Sequence, residues 1–78
     1  MMLYVVCDSY NAYDQYGDYY RDVYLRIPTL EELRKYQSNI SEKVYLEFLS
    51  AMDLVDGFSF RRDHEDYWIE IYKEEGIK

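Results

Sequence analysis

Leu25-Arg26-Ile27-Pro28-Thr29-Leu30-Glu31-Glu32-Leu33 is where the hydrophobic period of the chain changes from two to three and four. On its N-terminal side, residues 20–27 alternate. Val23, Leu25 and Ile27 fall on one side, to be buried, and Tyr24 and Arg26 on the other, the pattern of a half-buried strand. Pro28 has no N–H for a ladder and ends that strand. Thr29-Leu30-Glu31-Glu32 then reads as a capping box. The Thr29 hydroxyl accepts from the Glu32 amide, and the Glu32 carboxylate accepts from the Thr29 amide. A helix to about Gln37 follows, with Leu30, Leu33 and Tyr36 on one face.

Downstream, Ser41 is placed to cap a second helix running to about Val55. Its stripe is Val44, Tyr45, Phe48, Leu49, Met52 and Val55. Gly57 is expected to end it in the left-handed conformation. Phe58 to Arg61 alternates as a strand, and residues 62–66 make a polar turn. Tyr67 to Tyr72 is a further strand, with Tyr67, Ile69 and Ile71 on one face and Trp68, Glu70 and Tyr72 on the other. Lys73 to Lys78 reads as a charged tail. Upstream, Met2 to Cys7 is a buried strand rich in branched and aromatic residues, and Asp8 to Tyr19 is a loop or a long hairpin tip.

The order is ββααββ, which predicts an α+β fold with an antiparallel sheet of about four strands and two helices packed on one face. The other face is open to solvent or a partner. An alternative is a three-stranded sheet whose first strand pairs across a homodimer. The 78 residues are expected to form one domain, 1–78, with a thin core and no deep interior pocket.

The formal charge is −7, from 16 acids and 9 bases. The acid is spread along the chain: four acids lie in residues 1–22, six in 23–57 and six in 58–78. Like charge disfavours direct contact with nucleic acid and with anionic membrane surfaces, and favours a partner protein with a basic surface. No apolar run approaches the roughly 20 residues of a membrane helix. The start of the chain lacks the length and basic flank of a signal peptide, and a lone cysteine makes no internal disulfide. The cytoplasm is the expected compartment.

Catalysis is not expected. His64 is the only histidine and lies in a charged turn, and Cys7 lies in a buried strand, where a thiol behaves as a small hydrophobe. No glycine-rich phosphate loop is present, so no cofactor is expected. Asp8, Asn11, Asp14 and Asp18 are oxygen donors in one segment. They lack the alternate spacing and sixth-position glycine of a calcium loop, so no metal is expected either.

The tyrosines are the most unusual feature, eleven in 78 residues. Tyr10, Tyr13, Tyr16 and Tyr19 recur every third residue, Tyr20 follows, and Asp8, Asp14, Asp18 and Asp22 are interleaved. Tyrosine presents a large ring and a wet hydroxyl at little entropic cost, and beside a carboxylate it receives arginine by cation–π contact and ion pairing together. Trp68, Glu70 and Tyr72, with Tyr24, are expected to form an aromatic patch on the open sheet face. Partner binding is assigned to these two groups of residues.

Small size, acid and aromatics together resemble the phage- and plasmid-encoded anti-defence inhibitors, which include anti-CRISPR proteins and DNA-mimicking antirestriction proteins. Leu3-Tyr4-Val5, Tyr10-Asn11, Leu25-Arg26-Ile27-Pro28 and Glu31-Glu32-Leu33 resemble the opening strand, loop, strand and helix of Ard-type antirestriction proteins. Members of that family are about twice as long, and the glycine-rich spacing after the Tyr-Asn pair is not reproduced. The resemblance implies a phage protein that, in the cytoplasm of a bacterial host cell, inhibits a Cas or restriction component by occupying its nucleic-acid-binding surface as a DNA mimic. The alternative is a non-inhibitory protein-interaction module, an antitoxin-like partner or homodimeric adaptor using the aromatic sheet face.

Overall fold

The computed structural model describes residues 1–12, 15–62 and 65–76, with backbone alone at 12 and 15–18. Six elements follow one another: β1 (Met2–Ala12), β2 (Gln15–Tyr24), α1 (Leu30–Arg34), α2 (Glu42–Met52), β3 (Gly57–Ser59) and β4 (Tyr67–Glu75). The strands form one antiparallel sheet in the order β2-β1-β4-β3. This is the expected α+β fold. β1 lies inside the sheet, between β2 and β4, so the three-stranded alternative is excluded. Among the described residues, no helix is long and apolar enough to cross a membrane.

The helices cover one face of the sheet. Val6, Ile69, Ile71 and Phe60 pack there against Leu33, Ile40, Phe48 and Met52, all buried. Phe48 is the hub. Its ring lies 5.3 Å from Phe60, 5.7 Å from Phe58 and 5.8 Å from Tyr45, in tilted or edge-on contacts of the kind aromatic quadrupoles favour.

Of the segment at 8–19, expected as a loop or a long hairpin tip, residues 8–12 and 15–19 are strand, the far end of a long β1–β2 hairpin. β1 and β2 stay paired from Tyr4↔Tyr24 out to Ala12↔Gln15, with one register shift between Val6 and Cys7. Asp, Asn and Ser suggest turns only where the backbone lacks a partner, and here each has one across the ladder. At roughly 3.3 Å per residue, the 11 residues of β1 span most of the 40 Å long axis of the molecule.

At residues 23–25 the faces are the reverse of those expected, while Arg26 is exposed and Ile27 meets the core as expected. Val23 and Leu25 are 55% and 69% exposed, while Tyr24 packs against the core. Register decides this. Tyr24 pairs with Tyr4 on the helix side, where its hydroxyl meets that of Tyr36 at 2.7 Å, and Val23 pairs with Val5 on the far side. The strand stops at Tyr24, and Ile27 reaches the core only after a bend.

The capping box at Thr29 is present: Glu32 N–H donates to Thr29 Oγ1 at 3.2 Å and Thr29 N–H to Glu32 Oε1 at 2.9 Å. Arg26 adds two bonds to the same carboxylate, at 2.7 and 2.9 Å. Arg26 first, and Thr29 after it, hold the Glu32 carboxyl at about 2, below its ordinary 4.5. A depressed carboxyl stabilises the fold above the unfolded-state value and loses that contribution as pH falls toward the folded one. The urea midpoints of wild type and Glu32→Gln are therefore expected to differ at pH 6 and to converge between about pH 4.5 and 2. A pH-independent gap would show that the carboxylate charge contributes nothing.

Both helices are shorter than expected. α1 ends at Arg34 and not near Gln37; the last turn tightens, with Lys35 N–H donating to Glu32 O and Tyr36 N–H to Leu33 O. α2 ends at Met52 and not at Val55, and Leu54 and Val55 are exposed. Its last turn holds no basic residue. Lys73 of β4 supplies the cation, donating from Nζ to the Met52 carbonyl, while its backbone N–H meets Asp56 O at 2.7 Å. Gly57 is not a left-handed cap. It opens β3 opposite Tyr72, where an added Cβ would stand 3.0 Å from the Tyr72 ring. The expected tail at 73–78 belongs to β4 as far as Glu75, and Gly76 N–H donates to Met1 O at 2.6 Å.

Candidate functional site

The residues assigned to partner binding do not form one patch. The sheet separates them into two groups, one on each face. Tyr13 and Asp14 lie outside the described residues, as does His64. Of Tyr16 and Asp18 only the backbone, in β2, is described.

On the helix-bearing face, the sheet runs on past the helices. Tyr10 pairs with Tyr67 of β4, and Asp8 pairs with Tyr19 of β2, so side chains from three adjacent strands come together. The Tyr10 and Tyr19 rings stack with centroids 5.7 Å apart and planes 15° from parallel. Their hydrogen bond raises the Tyr10 phenol above its ordinary 10.0. Asp8 accepts from Arg21 at 2.7 Å, which raises the Arg21 guanidinium above its ordinary value. The guanidinium carbon sits 5.5 Å from the centre of the Tyr36 ring. Tyr36 donates to Asp22 at 2.6 Å and is pushed well up, by burial first and then by its bonds to Asp22 and Tyr24. A cavity of about 390 Å³ opens among Asp8, Tyr10, Tyr19, Arg21, Tyr36 and Tyr67.

On the opposite face, Trp68, Glu70 and Tyr72 stand side by side as the alternation of β4 requires. Glu70 binds both neighbours: Trp68 Nε1 donates to it at 3.0 Å, and the Tyr72 hydroxyl donates to its other oxygen. Arg61 lies 4.5 Å over the Trp68 ring, so a cation covers much of the expected aromatic surface. Tyr24 is absent from this patch, since it faces the helices. Tyr20 takes its place and borders a second cavity, of about 310 Å³, with Cys7, Tyr72 and Glu74. Val5, Cys7 and Ser9 beneath are buried.

Of the assigned residues, then, Tyr10, Tyr19 and Asp22 belong to one face and Tyr20, Trp68, Glu70 and Tyr72 to the other. Sequence reasoning missed Tyr67, Arg21, Tyr36 and Arg61 as site residues. The face of Arg61 was legible from the alternation of Phe58, Ser59, Phe60 and Arg61. The meeting of Tyr67 with Tyr10, 57 positions apart in the chain, depends on register and left no local signal. No group of three or more metal-ligating side chains converges among the described residues. No family model matches this chain, and no curated protein or solved structure matches it.

Proposed function

We propose that this chain is a small acidic inhibitor that binds a nucleic-acid-processing host defence complex, CRISPR-Cas or restriction, by occupying a basic nucleic-acid-binding surface. The observation that carries the reading is the distribution of charge. The chain has 16 acids, yet among the described residues only three ion pairs form, through Asp8, Glu32 and Glu75. Glu31, Glu42, Glu47, Asp53, Asp56, Asp66 and Glu74 are exposed. Carboxylates set on a firm scaffold present spaced negative charge to a groove built for phosphates. The exposed rings of Tyr19, Tyr20 and Tyr67 supply contact area beside them.

The experiment is a tagged pull-down from bacterial lysate rich in restriction and Cas complexes, with and without excess duplex DNA and across a salt series. A nuclease or Cas component is expected to be retained, to be displaced by duplex DNA, and to bind about tenfold less tightly between 50 and 300 mM salt. A second reading, an interaction module working through the opposite sheet face, is favoured by Tyr20, which is 76% exposed there beside Tyr72. It predicts association that salt and DNA leave unchanged, and that outcome would replace the first reading.

A further inference from the structure

Three features meet in the cavity beyond the helices. The first is an aromatic wall. Tyr10 and Tyr19 are stacked, and Tyr67 stands opposite Tyr10, with Tyr19 and Tyr67 62% and 71% exposed. Rings held this openly on three paired strands contribute little to the core, which lies under the helices. The second is a carboxylate with capacity to spare. Asp8 uses Oδ2 for Arg21, and no hydrogen bond among the described residues engages its Oδ1. The third is the local charge. Asp8 and Arg21 offset each other, and Asp22 lies beside Arg21, which leaves an excess of one negative charge in a chain of net charge −7.

We infer that the hollow between Tyr10, Tyr19 and Tyr67, with Asp8 in its lining, receives a single arginine side chain presented by a protein partner. The inference rests on the reading of the chain as a binder of basic surfaces and adds which residue type is gripped, and where. The charge excludes a phosphate and selects a cation. The flat rings select a planar guanidinium over an ammonium, because a guanidinium stacks on a ring while donating to a carboxylate. The fold uses this recognition once for itself, in Arg21 between Asp8 and Tyr36, and its stacking half again in Arg61 over Trp68. At about 390 Å³ the hollow has room for a further guanidinium and part of its stem.

The test is an amide-resolved NMR titration of the full chain with acetyl-Gly-Arg-Gly-amide, with the lysine counterpart, and with a single-stranded oligothymidylate. The arginine peptide is expected to give saturable shifts confined to residues 8–10, 19–21 and 67–69. The lysine peptide should bind about fivefold more weakly. Tyr67→Ala should weaken arginine binding roughly threefold and Tyr67→Phe should restore it. Asp8→Asn should weaken it about fivefold. Tyr67 is exposed, so its variants keep the fold, and the rest of the amide spectrum checks that. Scattered or non-saturating shifts, equal binding of lysine, or tighter binding of the oligonucleotide would each overturn the inference. The two readings fail separately. Arginine binding without capture of any DNA-displaceable partner leaves the hollow and removes the inhibitor. A partner captured equally by wild type and Tyr67→Ala leaves the inhibitor and removes the hollow.

Discussion

Phe48→Ala is expected to remove a large share of the stability of the fold and to lower its urea midpoint markedly. Phe48 is fully buried and touches Tyr45, Phe58 and Phe60, so it joins α2 to the β3 side of the sheet. Removing a buried phenylalanine costs about 3–5 kcal/mol, from lost transfer energy and from the cavity left behind. At roughly 0.05–0.15 kcal/mol per residue, a chain of this size has about 4–12 kcal/mol in all. Collapse around the cavity offers little relief, because Phe58 and Phe60 are already in edge-on contact at 4.9 Å and held by β3. Urea unfolding followed by far-ultraviolet circular dichroism measures this. Phe48→Leu should recover about half of the loss. A Phe48→Ala midpoint within error of wild type would mean that the aromatic cluster is not the centre of the core.

Gln37 carries the second large effect. Phe60 N–H donates to Ile69 O at 3.0 Å, as in a paired ladder, but the return bond from Ile69 N–H does not go to Phe60 O. The strands open there and the Gln37 amide fills the gap. Its Nε2 donates to Phe60 O and its Oε1 accepts from Ile69 N–H, both at 3.0 Å. Phe60 and Ile69 are buried, so neither backbone group can turn to water. An unsatisfied buried polar group costs about 1–3 kcal/mol, and two of them put Gln37→Leu at about 2–6 kcal/mol. Gln37→Glu gives a sharper test. An ionised carboxylate accepts from Ile69 N–H but cannot donate to Phe60 O, whereas the protonated acid does both. The carboxyl at position 37 is therefore raised by folding, and its contribution is present at low pH and lost as pH rises. The gap between wild type and Gln37→Glu should be widest near pH 7 and should narrow toward about pH 4. Loss of the Ile69 amide's slow hydrogen exchange in Gln37→Leu would locate the damage. Unchanged exchange would show that the strands simply close on each other.

How far the candidate site was legible follows from the range of the interactions that build it. Trp68, Glu70 and Tyr72 were placed on one face correctly, because alternation along β4 is a local property of the chain. Tyr10 and Tyr19 were recognised as a contact surface by type and number. Their partners were not, since Tyr67 comes from β4 and Tyr36 from the turn after α1. Arg61 over Trp68 and Lys73 at the end of α2 were invisible for the same reason: each is a cation supplied by one element to another.

Local chemistry alone determined the order of the elements, the capping box at Thr29, the core faces of both helices and the side of the sheet on which Ile69 and Ile71 lie. Each depends on residues within a few positions of one another, where spacing is geometry. Tertiary structure decided the rest. It kept Asp8 to Ala12 in a strand because a paired backbone outweighs the turn preferences of Asp, Ser and Asn. It turned Tyr24 inward and Val23 outward, because two alternating faces are equivalent until a neighbour fixes the register. It also divided one tyrosine- and acid-rich segment between two faces of a sheet, since successive residues of a strand point to opposite sides whatever their chemistry.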